Sequence, residues 1–374
     1  MKLNELLNDK FLLGLASIGT TLDLRGYPGI GKSTVVRQIP KILSRLTGQD
    51  YGYHEELVPS IDAPDVRGFM VPTKTADGSG VVSHYTYPAI LPSPEYLKAH
   101  PFGVLFLDEF EQGDQLTKKS LAPLILEGKV GNYSLPRGWW RITASNRVED
   151  RSGVAKPLMH IVNRRATIDI DNDVESWATW ADTYVHPVTG RRLHPLAKAF
   201  ARHMPNVLFS PIPADSAPFC TPRSYVAAWD LLTSMCDVDE QGYVSNTIPT
   251  DGILWEFVQG SIGKAAATQL MAYTKVATEM PTFPEVLADP MRAKMPSSQR
   301  LDAGYAVVQM CLHYIAPENL QKVWAYLERL PRELQVSVAA QIMTMSKVNG
   351  TLLGSPEFAK WMTRNTALLQ ASQS

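Results

Sequence analysis

"RGYPGIGKST", residues Arg25 to Thr34, follows the short apolar stretch Thr21 to Leu24 and precedes an alternation of apolar and basic residues. It holds Gly26, four residues, then Gly31, Lys32 and Ser33, which satisfies G-x-x-x-x-G-K-[ST]. Each position has a physical reason. Glycines let the backbone wrap around phosphates with its N–H groups inward, and the following helix offers its positive N-terminal end. Lys32 supplies a point charge for the β and γ phosphates, and Ser33 a hydroxyl for a magnesium ion. A plain glycine-rich turn could carry the same letters, but this one sits between a predicted strand and a predicted helix, as phosphate binding requires. Gly26, Pro28, Gly29, Ile30, Gly31, Lys32, Ser33 and Thr34 are therefore the candidate nucleotide-binding residues.

Outward from the loop, residues 20–171 alternate short β-rich runs with helical stretches, the pattern of a parallel sheet flanked by helices. Candidate strands are "TLDL", "ELVPSI", "GVLFLD", "WRITAS" and "ATIDI". The helix after the loop is expected over "KSTVVRQI", with Pro40 ending or kinking it because proline removes a backbone donor. Beyond Asp171 strand signals fade, and "VESWATWADTYV", "PRSYVAAWDLLTSM", "GSIGKAAATQLMAYTKVATEM" and "LQKVWAYLERL" carry helical apolar spacing. Pro-rich breaks at 210–218 and 280–290 divide the helical groups. The expected domains are an α/β nucleotide-binding core over 1–172, a helical lid over 173–290 and a helical extension over 291–374.

Bulk properties agree with an ordinary folded protein. The 374 residues exceed what one hydrophobic core usually organises, and 45% hydrophobic and 20% charged residues exclude disordered or collagen-like chains. A net charge of −1 argues against coating nucleic acid by bulk positive charge. Cys220, Cys236 and Cys311 lie far apart without a CxxC pair, so neither a disulfide framework nor a zinc knuckle is indicated. The run "FLLGLASIG" is too brief to span a bilayer and reads as a helix, and a cytoplasmic location follows as the simpler expectation.

In "GVLFLDEF", four apolar residues lead into Asp108 and Glu109. A buried parallel strand reads as a continuous apolar run, and a carboxylate at its C-terminal end emerges where ligands of such sheets bind. Asp108 would help hold magnesium. Glu109 could polarise or deprotonate an attacking water, whereas a kinase would need a place for a second substrate.

The order of phosphate loop, "DE" strand end and later "TASNR" resembles AAA+ ATPases. The MoxR branch is the closer match, through "IDAPDVRGFMVP", "YPAILPSP", "LFLDEFEQ", "LEGKVGNYSLPRGWWRITASNR" and "TPRSYVAAW". The resemblance implies an AAA+ P-loop core, with a five-stranded parallel sheet and β-hairpin inserts, followed by an all-α lid. By it, Asn146 matches the sensor 1 residue that positions the lytic water or senses the γ-phosphate. Arg164, in "LMHIVNRRATIDI", matches the arginine that reaches the nucleotide of a neighbouring subunit. The family commonly has phenylalanine where this chain has Arg165, so the two arginines are alternatives at this point. Arg223 matches the sensor 2 arginine of the lid.

The candidate catalytic residues are thus Glu109, Asn146, Arg164 and Arg223. Ser33 and Asp108 are the candidate magnesium ligands, and ATP and Mg2+ the expected cofactors. The resemblance further implies a ring homo-oligomer, a hexamer, that remodels or activates a protein partner, one class of partner carrying a von Willebrand factor A-type domain. A nucleic-acid motor or loader of the same class is the alternative, although nucleic acid is not indicated by the residues, and no membrane contact is expected.

"GKVGNYSLPRGWW" fits a hairpin before sensor 1, and "TKTADGSGVVSHYTYP" a second. Tyr133, Arg137 and Trp139 could line a pore or simply pack across strands. The eight histidines form no HExxH, and no G-x-S-x-G elbow is present. Trp177 and Trp180, at helical spacing, read as lid core.

Overall fold

A computed structural model describes residues 1–147, 159–277, 280–345 and 348–371. The chain forms two compact units, Met1–Ser176 and Trp177–Ser374. Helices following residue 290 fall within the second unit.

Among the described residues nine strands, all in the first unit, are β1 (Thr21–Gly26), β2 (Tyr51–Leu57), β3 (Met70–Lys74), β4 (Val81–Tyr85), β5 (Phe102–Asp108), β6 (Lys129–Val130), β7 (Tyr133–Ser134), β8 (Gly138–Ser145) and β9 (Arg165–Ile170). Five make one sheet in the order β2-β5-β8-β1-β9, and every pairing is parallel. Parallel neighbours require crossovers, and the helices that supply them cover both faces. Alternation along β5 shows this directly. Val104 and Phe106 join Leu22, Leu24, Val36, Ile39, Leu43 and Ile142 in one core, while Leu105 and Leu107 join Leu121, Leu124, Ile125 and Trp139 in the other. Both faces of β5 are dry, so its sequence is a continuous apolar run.

Two expected elements differ. The strand foreseen in "ELVPSI" begins earlier, because "YGYHEEL" pairs residue for residue with β5, from Tyr51 opposite Phe102 to Leu57 opposite Asp108. Val58–Ser60 instead form a 3-10 turn containing Pro59, which has no N–H to give a ladder. An edge position lets β2 keep polar side chains, which hid it from an apolar-run reading. After the phosphate loop, the foreseen helix is two, Lys32–Val36 and Ile39–Thr47. Pro40 stands in the first turn of the second, where a missing donor costs nothing.

Both inserts are hairpins. β3 pairs antiparallel with β4 and is exposed along its whole length, Phe69, Met70, Val81 and Val82 each more than half exposed. β6 pairs with β7, but Tyr133 and Trp139 are buried, the Tyr133 hydroxyl donating to Pro92 O at 3.1 Å and Trp139 Nε1 to His100 O at 2.8 Å. Those two aromatics therefore pack the core, and Arg137 alone of the three is exposed.

Among the described residues, the regular elements of the second unit are helices, apart from an isolated bridge between Val238 and Val244. The stretch 260–277 lies in two helices, Gly252–Ile262 and Lys264–Ala277, and residues 278–279 of the expected run fall outside the described residues. Gly263 makes the break with a φ of 81°, and a Cβ there would meet Pro218 O at 2.4 Å. In the Pro-rich break at 280–290, Thr282 and Glu285 form a capping box that starts a short helix, Phe283–Ala288. Trp177 is buried edge-on against Tyr225 at 5.5 Å, the core role expected of it. Among the described residues, no helix is long and apolar enough to cross a membrane.

Candidate functional site

The loop after β1, the carboxylates after β5 and the amide after β8 all leave the carboxyl ends of three adjacent strands. This is where open parallel sheets bind ligands. Because β8 lies between β1 and β5, Asn146 stands between the phosphate loop and Asp108.

Loop geometry follows from its glycines. Gly29 and Gly31 have φ of 70° and 107°, a left-handed backbone that a side chain would strain. Gly31 caps the helix that begins at Lys32. Lys32, only 8% exposed, places its ammonium 2.8 Å from Gly26 O, 3.2 Å from Tyr27 O and 3.0 Å from Asn146 Oδ1. Three oxygens thus hold a desolvated cation at the mouth of the loop, which satisfies what burial would otherwise penalise. One residue on, Ser33 Oγ donates to Asp108 Oδ2 at 2.5 Å. Pro28 and Ile30 are half-buried, and Thr34 is exposed on the helix.

Ser33 and Asp108 fit a magnesium ion. Both offer oxygen, they already touch, and a magnesium ion keeps several waters and takes phosphate oxygens, so two protein ligands suffice. Among the described residues, no group of three or more His, Cys, Asp or Glu is arranged to hold a metal.

Glu109 is one of two non-glycine residues with positive φ among those described, at φ 52° and ψ 35°. Its N–H donates to Asp108 Oδ1 at 2.9 Å, and its carbonyl accepts from Gln112 N at 2.9 Å. A left-handed glutamate at the strand end turns the chain sharply into the 3-10 turn Phe110–Gln112. Such conformations cluster at functional sites.

The two candidate arginines separate clearly. Arg165 has a fully buried side chain, paired with Glu111 Oε1 and with its Nε 3.3 Å from Asp23 Oδ2. Arg164 is exposed. Only Arg164 is available to another molecule. The segment carrying them was read from Leu158, which lies outside the described residues. In the second unit, Arg223 is exposed in the first turn of the helix Pro222–Ser234, which Thr221 and Ser224 cap reciprocally.

Sequence reading missed the buried charges behind the site. Asp23 accepts from Thr143 Oγ1 at 2.8 Å and from Arg25 Nε at 2.9 Å, while Glu111 Oε2 meets Lys118 Nζ at 3.2 Å. Asp23, Glu111, Lys118 and Arg165 are all nearly or fully buried. One signal was available: an aspartate inside the apolar run "TLDL" of a central strand demands a buried partner. The cysteines carry no chemistry here. All three are buried and outside any disulfide, and burial pushes the thiol of Cys220 up to about 12 and that of Cys236 up to about 11.

No protein-family model matches the chain, and no curated protein matches it. Solved structures do. A putative ATPase from Cytophaga hutchinsonii is 14% identical at a TM-score of 0.31, over 85% of this chain and 78% of that one. A RuvB mutant from Thermotoga maritima is 12% identical at 0.34, over 72% and 71%. NtrX from Brucella abortus is 13% identical at 0.33, over 74% and 68%. The α/β fold itself rests on the parallel five-stranded sheet and its phosphate loop, followed by a helical unit, the architecture expected of an AAA+ core and lid.

Proposed function

We propose that this chain is a MoxR-like AAA+ ATPase that hydrolyses ATP at sites shared between subunits of a ring, a hexamer, and uses the energy to remodel or activate a protein partner. The observation that carries the ATPase reading is the Lys32–Asn146 contact at 3.0 Å beside the Ser33–Asp108 contact at 2.5 Å. Together they bring phosphate loop, strand-end acid and water-orienting amide into one site, as γ-phosphoryl transfer to water requires.

In this reading the loop N–H groups and Lys32 bind the β and γ phosphates of ATP. A magnesium ion held by Ser33 and Asp108 would neutralise phosphate charge. Glu109 accepts the proton of the attacking water, and Asn146 orients that water through its amide, which both donates and accepts. Arg164 reaches the neighbour's nucleotide, where a guanidinium stabilises charge on the transferred group. By the MoxR resemblance, Arg223 takes the sensor 2 role. The partner, in keeping with the MoxR resemblance, carries a von Willebrand factor A-type domain.

The test is phosphate release from ATP by the purified protein, with and without DNA, across a salt series. Turnover that needs Glu109 and is indifferent to DNA supports the remodelling ATPase. DNA stimulation that fades steeply with salt would transfer the reading to a nucleic-acid motor. No turnover at any protein concentration would overturn it. Trapping the Glu109→Gln protein with ATP and a candidate von Willebrand factor A-type domain protein tests the partner.

A further inference from the structure

We infer that Glu111 and Arg165 are positioning residues for hydrolysis: their buried ion pair clamps the turn after Glu109 and so holds the Glu109 carboxylate where water is activated. The inference rests on the ATPase reading above. A left-handed glutamate persists only when its surroundings over-determine it. On its N-terminal side, Asp108 Oδ1 takes the Glu109 N–H. On the other side the turn is fastened at Glu111, two residues away, to three separate elements. Its N–H donates to Ser145 Oγ at 3.0 Å, on β8. Lys118, on the helix Gln115–Glu127, donates to Glu111 O at 3.3 Å and meets its Oε2 at 3.2 Å. Arg165, on β9, takes Oε1 and also lies over the Phe110 ring, 5.5 Å from its centroid.

Stability alone is a poor reason for such a cluster. Glu111, Lys118 and Arg165 are 3% exposed or less at their side chains, and well-packed apolar groups of similar volume often serve a core as well as a buried ionic triad does. What apolar packing cannot supply is direction. The carboxylate of Glu111 is drawn by one cation on the helix Gln115–Glu127 and one on the edge strand β9, while its N–H is held by β8, so the turn's position is fixed relative to all three. Asp23 continues the chain of charge from Arg165 into β1, the strand that leads to the phosphate loop.

The test compares the wild-type protein with Glu111→Gln and with the triple variant Glu111→Leu, Lys118→Met, Arg165→Met, which removes all three charges around the turn and leaves Asp23 with the Arg25 guanidinium at 2.9 Å as its cation. Three quantities are read: ATP turnover, the dissociation constant of a fluorescent ATP analogue, and the Glu109 backbone in crystal structures. The expected result for the folded triple variant is a kcat lowered tenfold or more, analogue affinity within threefold of wild type, and Glu109 outside the left-handed region. Glu111→Gln falls between the two in kcat. A folded triple variant with unchanged kcat, or with Glu109 still left-handed, overturns the inference. Should the wild type itself fail to turn over ATP, the ATPase reading falls, and the Glu109 conformer still decides whether the clamp exists.

Discussion

The ammonium of Lys32 donates to the side-chain oxygen of Asn146 at 3.0 Å, joining residues 114 positions apart. The contact exists because β8 pairs directly with β1, Ser145 opposite Arg25, so the residue after β8 faces the loop after β1. Lys32 can serve a phosphate without moving far, since its stem is already ordered and its charge already out of bulk water. Substituting Lys32→Ala removes a cation whose charge-assisted hydrogen bonds are each worth about 1.5–3 kcal/mol, or roughly 10–100-fold in affinity. Titration with a fluorescent ATP analogue should show a loss of that size, and an unchanged dissociation constant would remove Lys32 from the site.

Glu109→Gln keeps the side chain's shape but replaces one accepting oxygen with a donating NH2 and cannot take a proton. ATP should still bind, while turnover falls about 100-fold to 10,000-fold, the range general-base catalysis usually supplies. Parallel measurements of analogue binding and phosphate release check this. Equal losses in both would mean that Glu109 supports binding instead.

Adjacent arginines should behave in opposite ways. Arg165→Ala leaves Glu111 and Asp23 with buried, less compensated charge and should cost about 3–5 kcal/mol in denaturant unfolding. Arg164→Ala, at an exposed position, should change stability by less than about 0.5 kcal/mol yet lower turnover. Mixing Arg164→Ala with Glu109→Gln subunits should restore part of the activity, because at the proposed shared site each would supply what the other lacks. No recovery on mixing would place Arg164 outside the neighbour's site.

Acid should weaken the helical unit through His194. This side chain is 1% exposed, its Nδ1 accepts from Leu196 N at 3.1 Å, and its Nε2 contacts Ser245 O at 3.0 Å. Burial pushes its pKa down to about 4 from an ordinary 6.5, the carbonyl contact opposing the shift. The unfolded chain therefore binds the proton more readily between those values. Its contribution is complete above pH 6.5 and is lost as pH falls towards 4, amounting to about 3 kcal/mol across the window. His194→Asn retains a capping oxygen without the titration, so the slope of Tm against pH between 6.5 and 4 should flatten. A slope identical to wild type would show that other groups govern acid sensitivity.

How much was legible depended on whether a residue's role is local. The glycine-rich loop after β1 was readable because Gly26, Gly29, Gly31, Lys32 and Ser33 stand at fixed spacing in one short stretch, and Gly29 and Gly31 adopt the left-handed backbone that favours glycine. β5 was readable because burial on both faces leaves a continuous apolar run. β2 was misplaced by several residues because an edge strand tolerates polar side chains, and its partner, not its composition, sets its limits. For Tyr133 and Trp139 the hairpin sequence allowed a pore role beside the commoner packing across strands, and burial assigned them to the core.

By itself, then, the sequence determined the glycine-rich loop between β1 and its helix, the acidic end of β5 and the change from α/β to helical organisation, since each is written in short-range periodicity or spacing. Tertiary structure alone decided which of Arg164 and Arg165 is exposed, and that Glu111 anchors the turn behind Glu109. Two neighbouring arginines are chemically identical in a string of letters. They become different only when β9 pairs beside β1 and carries one of them against Asp23 and Glu111, where an unpaired charge could not remain.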